Sequence, residues 1–140
     1  MVRTYELRFS TRGHTDVLDI TPQIEAVVQN SGVQHGLVVI FVPGSTAAIT
    51  TMEYEPGCVA DFQALMEALA PEAGDYAHNR RWGDGNGYAH LRASLVGPDL
   101  SVPLMQGRLA LGTWQQIVLA DFDNRPRQRR VVVQILGEEE

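Results

Sequence analysis

Two histidines and an aspartate stand at even spacing in mid-chain: His78, Asp84 and His90 make a His-x5-Asp-x5-His segment. Imidazole nitrogen and carboxylate oxygen suit zinc or a similar divalent ion, and three protein ligands leave a position open for water or substrate. Spacing alone leaves two uses open, a metal site or structural hydrogen bonding, because no helix or hairpin is evident that would fix these side chains. Between them, Gly83-Asp84-Gly85-Asn86-Gly87 alternates three glycines with polar residues, which permits positive φ or close approach by a ligand. It lacks the helix that follows a dinucleotide fingerprint and the acid pattern of an EF-hand. Gly44-Ser45-Thr46 offers two hydroxyls and backbone N–H groups at the end of an expected buried strand. That suits an anion as well as an ordinary hydroxyl-stabilised turn. Ser45 has no His or acid beside it in sequence, so a hydrolase triad has no support. Arg108, after Gly107, is of the type that clamps phosphate bidentately. His14 and His35 read as exposed or capping residues, and Trp114 as core or subunit interface.

Composition limits what such residues serve. One domain over residues 1–140 is expected from 140 residues. A net charge of −6 and a pI near 5.1 argue against nucleic acid as a partner. All 11 basic residues are Arg, which excludes Schiff-base and phosphate-loop lysine chemistry. The longest apolar run, Leu37 to Val42, is far short of a membrane helix, so no membrane is expected. The N-terminal segment has no signal-type apolar region, and the lone Cys58 fits a reducing compartment; both point to the cytoplasm.

The elements that must position these residues follow from periodicity. Tyr5, Leu7 and Phe9 alternate with polar neighbours, a half-buried strand, and Arg12-Gly13 turns into a second over Asp16 to Ile20. Thr21-Pro22 opens a helix with Ile24, Val27 and Val28 on one face, closed by Asn30-Ser31-Gly32. Leu37 to Val42 reads as an interior strand covered on both faces. Ala47 to Glu53 is extended or partly helical. A second helix carries Val59, Phe62, Leu65, Met66 and Leu69 and stops at Pro71. Glu72 to Gly87 has no period and reads as an irregular functional loop. Ala89 to Val96 is ambiguous between strand and helix. Strands are expected over Ser101 to Leu104, Arg108 to Leu111, Thr113 to Phe122 and Arg127 to Leu136, the last two joined as a hairpin by Asp123-Asn124-Arg125-Pro126. The arginines at 125, 127, 129 and 130 read as a solvated hairpin making ion pairs, and Glu138 to Glu140 as a solvated acidic tail. The expected class is α+β: a mainly antiparallel, β-sandwich-like sheet with two to three helices.

The sequence also resembles the YjbQ-like family. The resemblance covers roughly residues 36–137. It rests on Gly44-Ser45-Thr46-Ala47-Ala48-Ile49-Thr50 with Glu53, on the His78…Asp84…His90 segment, and on Ala93-Ser94-Leu95-Val96-Gly97-Pro98. Its most specific stretch is Pro103…Gly107-Arg108-Leu109…Leu111-Gly112-Thr113-Trp114-Gln115, followed by Asp121 and Val131 to Ile135. The resemblance implies a small α+β sandwich-like unit assembled as a homotrimer, with Trp114 and the C-terminal strands near the contacts. It implies a polar site between subunits with a divalent metal ion, zinc or magnesium, on His78, Asp84 and His90. Glu53, Arg108 and Asp121 would be the catalytic groups there, and Ser45 and Thr46 would help hold a phosphorylated small molecule. The activity it implies is a weak, secondary thiamine-phosphate synthesis, in which aminopyrimidine methyl diphosphate joins thiazole phosphate and diphosphate leaves. Divalent metal and basic groups would stabilise that leaving group. The alternative is a trimer that binds metal or phosphometabolite without turnover. Most members of the family carry histidine where this chain has Gly44 and asparagine where it has Met52, so one ligand implied by the resemblance is missing.

Overall fold

A computed structural model describes residues 1–138. The described residues form, in order, β1 (Val2–Thr11), β2 (Asp16–Asp19), α1 (Thr21–Ser31), β3 (His35–Phe41), β4 (Ala47–Met52), α2 (Pro56–Leu69), α3 (Ala77–Trp82), α4 (Gly87–Val96), β5 (Asp99–Met105), β6 (Arg108–Leu109), β7 (Gln116–Asp121) and β8 (Arg127–Glu138). Glu139 and Glu140 of the expected acidic tail lie outside the described residues.

The strands make two antiparallel sheets, β1-β8-β3-β5-β6 and β2-β7-β4. Period-two patterning sets the register of the larger one. Val131, Val133 and Ile135 turn inward from β8 and Val38 and Ile40 from β3, and a one-residue slip would expose them all. They meet Ile24, Val27 and Val28 of α1 and one face of the smaller sheet, including Ile49, Ile117 and Leu119. The other face of the smaller sheet, with Ala48, Val118 and Ala120, packs on Met66 of α2 and on Tyr88, Ala89 and Ala93 of α4. The fold is therefore α+β with two packed sheets, one capped by helices.

Several expectations change. The strand covered on both faces is β7, buried from Ile117 to Asp121, whereas β3 leaves Leu37 and Phe41 more than a third exposed. An apolar run reports burial but not which neighbour supplies it. The 113–122 and 127–136 strands are not a hairpin: β7 belongs to the small sheet and β8 to the large one. Their turn residues carry the chain between sheets. The stretch after Pro71 contains α3, a six-residue helix with no buried residue, which leaves no apolar period to read. Residues 87–96 are helix α4, and 47–52 strand β4. Helices number four among the described residues, one more than the upper expectation.

Candidate functional site

Three sheet-to-sheet crossings meet at one corner. β1 passes to β2 through residues 12–15, β3 to β4 through 42–46, and β7 to β8 through 122–126. The first crossing takes Gly13, His14 and Thr15 successively through left-handed backbone, φ +79°, +54° and +64°, a conformation costly for the two non-glycine residues. His14 N–H donates to the Asp123 carbonyl at 2.8 Å, joining the first crossing to the third.

A buried polar network fills this corner. Asp121 is fully buried; the Arg129 guanidinium grips it through Nε–Oδ2 at 2.6 Å and Nη2–Oδ1 at 2.9 Å. Thr11 Oγ1 donates to Asp121 Oδ2 at 2.5 Å, and Arg129 Nη2 also reaches Thr46 Oγ1 at 2.6 Å. Thr46 Oγ1 in turn donates to Asp123 Oδ2 at 2.9 Å, which also accepts from Asn86 Nδ2 at 3.2 Å and pairs with Arg127 Nη2 at 3.1 Å. Burial works to raise the Asp123 carboxyl, but the hydrogen bonds from Thr46, Asn86 and Arg127 outweigh it and hold it below the ordinary carboxylate value. Arg129 is therefore a largely covered strut between the sheets, not the solvated residue its place in an arginine cluster suggests.

The His78–His90 segment docks on this corner. Asn124 N–H donates to Asn86 Oδ1 at 3.1 Å, and Asn124 Nδ2 to the Asp84 carbonyl at 2.8 Å. Gly87 N–H donates to Asn79 Oδ1 at 2.8 Å, tying α3 to the start of α4. The result brings the two imidazoles together, with ring centroids 4.4 Å apart and planes tilted by 41°. Asp84 Oδ1 stands 3.4 Å from His78 Nδ1, and that buried nitrogen has no hydrogen-bond partner. The donors are of the right type for zinc, which takes imidazole and carboxylate. As they stand, no group of three or more His, Cys, Asp or Glu side chains among the described residues is arranged to hold a metal ion.

The other residues singled out by sequence lie elsewhere or are already committed. Thr46 and Asp121 spend their polar atoms on the corner network, while Ser45 is exposed at its rim. Glu53 lines a separate cleft with Trp114, which is 73% exposed. Arg108 is exposed on β6, the edge of the large sheet, and lines a cavity of about 330 Å³ with Glu25 and Gln29 of α1. Arg92 is buried, bonded to Glu67 at 2.6 Å, Thr15 at 2.7 Å and the Ala70 carbonyl at 3.0 Å, with Tyr88 beneath it. Sequence reasoning passed over Asp123 and Asn86; their only signal was polar residues within the turns flanking the glycine-rich segment.

Gly44 has a physical counterpart. A Cβ placed there would lie 2.9 Å from Arg129 Nη1, so the guanidinium occupies the room a side chain at 44 would need.

The family model described as UPF0047 protein YjbQ-like matches residues 5–138. The chain belongs to the YjbQ-like family. A UPF0047 protein of Archaeoglobus fulgidus is 41% identical over 131 residues, covering 94% of this chain and 99% of that one. Among solved structures, a YbjQ-like protein of unknown function from Sulfolobus solfataricus superposes with a TM-score of 0.89 at 34% identity, covering 99% of this chain and 100% of that chain. A hypothetical protein from Aeropyrum pernix gives 0.91 at 34% identity over 97% and 99%. The YjbQ-like fold expected from the motifs is thus the fold of this chain. Among the described residues, no helix is long and apolar enough to cross a membrane.

Proposed function

We propose that this YjbQ-like protein binds a divalent cation, zinc or magnesium, at the His78–His90 pair, and with it a small molecule bearing phosphate or diphosphate. The observation that supports this reading best is the imidazole pair, 4.4 Å between centroids, with the buried Nδ1 of His78 making no hydrogen bond and standing 3.4 Å from Asp84. A buried polar atom without a partner costs free energy unless something outside the chain satisfies it. His78, His90 and Asp84 would hold the ion, with water or ligand oxygen at the remaining positions. When bound, the ion would neutralise charge on a phosphate or departing diphosphate. The Asn86 and Asn124 hydrogen bonds fix the segment on the corner, so the imidazoles are positioned before ligand arrives.

Glu53 and Arg108 lie outside this corner within one chain. A site that includes them needs a second copy, which supports a homotrimer with the polar site between subunits. Slow thiamine-phosphate synthase turnover is the second reading, carried by the motif resemblance. The side-chain-free Gly44, roofed by Arg129, favours binding without turnover. The lone Cys58 accords with a cytoplasmic protein.

Calorimetric titration with Zn²⁺ and Mg²⁺, then with diphosphate, phosphate and thiamine phosphate, tests the reading. Metal binding is expected in the native chain and lost in His90→Ala, with Arg108→Ala losing anion affinity while its thermal midpoint is retained. Absence of metal binding at millimolar concentration defeats the proposal. Metal-dependent release of diphosphate from the two thiamine precursors would select the catalytic reading, and its absence the binding one. Light scattering that shows a monomer at micromolar concentration would remove the trimer.

A further inference from the structure

The apolar stripe of α2 is wider than the core of one chain uses. Met66 is buried, and Phe62 is half-buried against Phe122 with ring centroids 6.3 Å apart, whereas Leu65 and Leu69 are more than half exposed. Phe62 and Leu65 line a groove of about 450 Å³ between α2, β4 and the end of α4, together with Thr51, Met52, Asp61 and Val96. Asp61 is exposed there and makes no hydrogen bond or ion pair among the described residues.

The converse feature is α3. It has six residues, none of them buried, and an isolated helix shorter than about 12–15 residues is marginal in water. Its last turn presents Trp82, 68% exposed, and Arg81, exposed and without a partner among the described residues. Tryptophan and arginine are the side chains that most often anchor protein interfaces. The groove and the helix therefore complement each other in polarity and in charge. Within one chain they do not meet. Asn79 ties α3 to Gly87 at the start of α4, while the groove takes in Val96, the last residue of that helix.

We propose that Trp82 and Arg81 of one copy dock into the Phe62–Leu65 groove of the next, Arg81 pairing with Asp61. This assignment rests on the trimer proposed above and specifies its contact. A contact between two different patches is head-to-tail, and such contacts form rings where the rotation closes. It also supplies what a single chain lacks. Met52 in the groove wall leads directly to Glu53, and Thr51 accepts from Gln115, the neighbour of the exposed Trp114. His78 lies one turn before Trp82 on α3. Docking α3 there sets the histidine pair of one copy against the Glu53 segment of the next.

Sedimentation velocity across micromolar concentrations reads the assembly, and circular dichroism checks that each variant folds. The native chain is expected as a trimer and Leu65→Arg as a monomer, with the dissociation constant of Trp82→Ala raised at least about tenfold. Asp61→Arg and Arg81→Asp should each weaken the assembly and together restore it. A native trimer that persists unweakened in Leu65→Arg and Trp82→Ala overturns this contact and leaves the trimer standing. A native monomer removes both. If Leu65→Arg fails to fold, the charge-reversed pair decides: assembly no stronger than in either single variant overturns the proposal.

Discussion

Removing the Arg129 guanidinium tests whether the corner network holds the two sheets together. In Arg129→Met the fully buried Asp121 keeps only the Thr11 hydroxyl and the Asp123 N–H, at 2.5 and 3.0 Å. Breaking a buried ion pair by deleting one partner costs about 3–5 kcal/mol, because the remaining charge stays desolvated. That is a large share of a domain stability of roughly 5–15 kcal/mol. With an unfolding entropy of about 2.1 cal/mol/K per residue, 140 residues give about 0.3 kcal/mol/K, so the midpoint should fall by about 10–17 °C. Thermal unfolding followed by circular dichroism at neutral pH reads this directly. The double variant Arg129→Met with Asp121→Asn separates lost attraction from stranded charge, and should regain at least half of the loss. A fall below about 3 °C in the single variant, or a double variant destabilised by the sum of both singles, would refute the reasoning.

Gly13→Ala should be far more damaging than Gly32→Ala, although both glycines have φ above +70°. A Cβ at 13 would lie 2.3 Å from the Asp123 carbonyl oxygen, while at 32 nothing stands within 4 Å; only the left-handed cost of about 1–2 kcal/mol applies there, and urea midpoints should show the difference. Asp123, held below its ordinary carboxyl value, contributes stability that is fully present above that value, about 3.9, and is lost as pH falls through its depressed folded value. Urea unfolding from pH 7 to pH 3 should therefore show a steeper acid decline for the native chain than for Asp123→Asn, and parallel curves would count against the assignment.

Sequence patterning discloses elements better than their partners. Tyr5, Leu7 and Phe9 alternate, and β1 half-buries those three. Ile24, Val27 and Val28 mark the buried stripe of α1, which Gly32 ends in left-handed backbone as expected. The β7–β8 connection is not legible in sequence, because a four-residue turn between two apolar strands looks the same whether the chain folds back or steps to another sheet. The α2 stripe was half right: Met66 is buried, yet Leu65 and Leu69 remain more than half exposed. The inward turn of Arg129 is illegible in the sequence, since its partner Asp121 lies eight residues away across the corner. At the site, the meeting of His78 and His90 was legible from the glycines between them. Glu53 was expected beside them and is not brought there by the chain, because it follows the end of β4 where Met52 faces Gln116, whereas Ala47 faces Asp121 at the network end.

The same geometry bears on position 44. A histidine there would project toward Arg129, and Arg129 is held by both oxygens of Asp121 and by Thr46. A side chain at 44 would require the Arg129 guanidinium to shift from this position. In this chain the guanidinium takes that room and joins the two sheets through Asp121 and Thr46. The groups still free to bind are then divided by charge: Arg108 stands on the large-sheet edge, and Glu53 stands in an acidic aromatic cleft. Within one chain neither residue reaches the histidine corner, so a site that unites all three calls for a second copy.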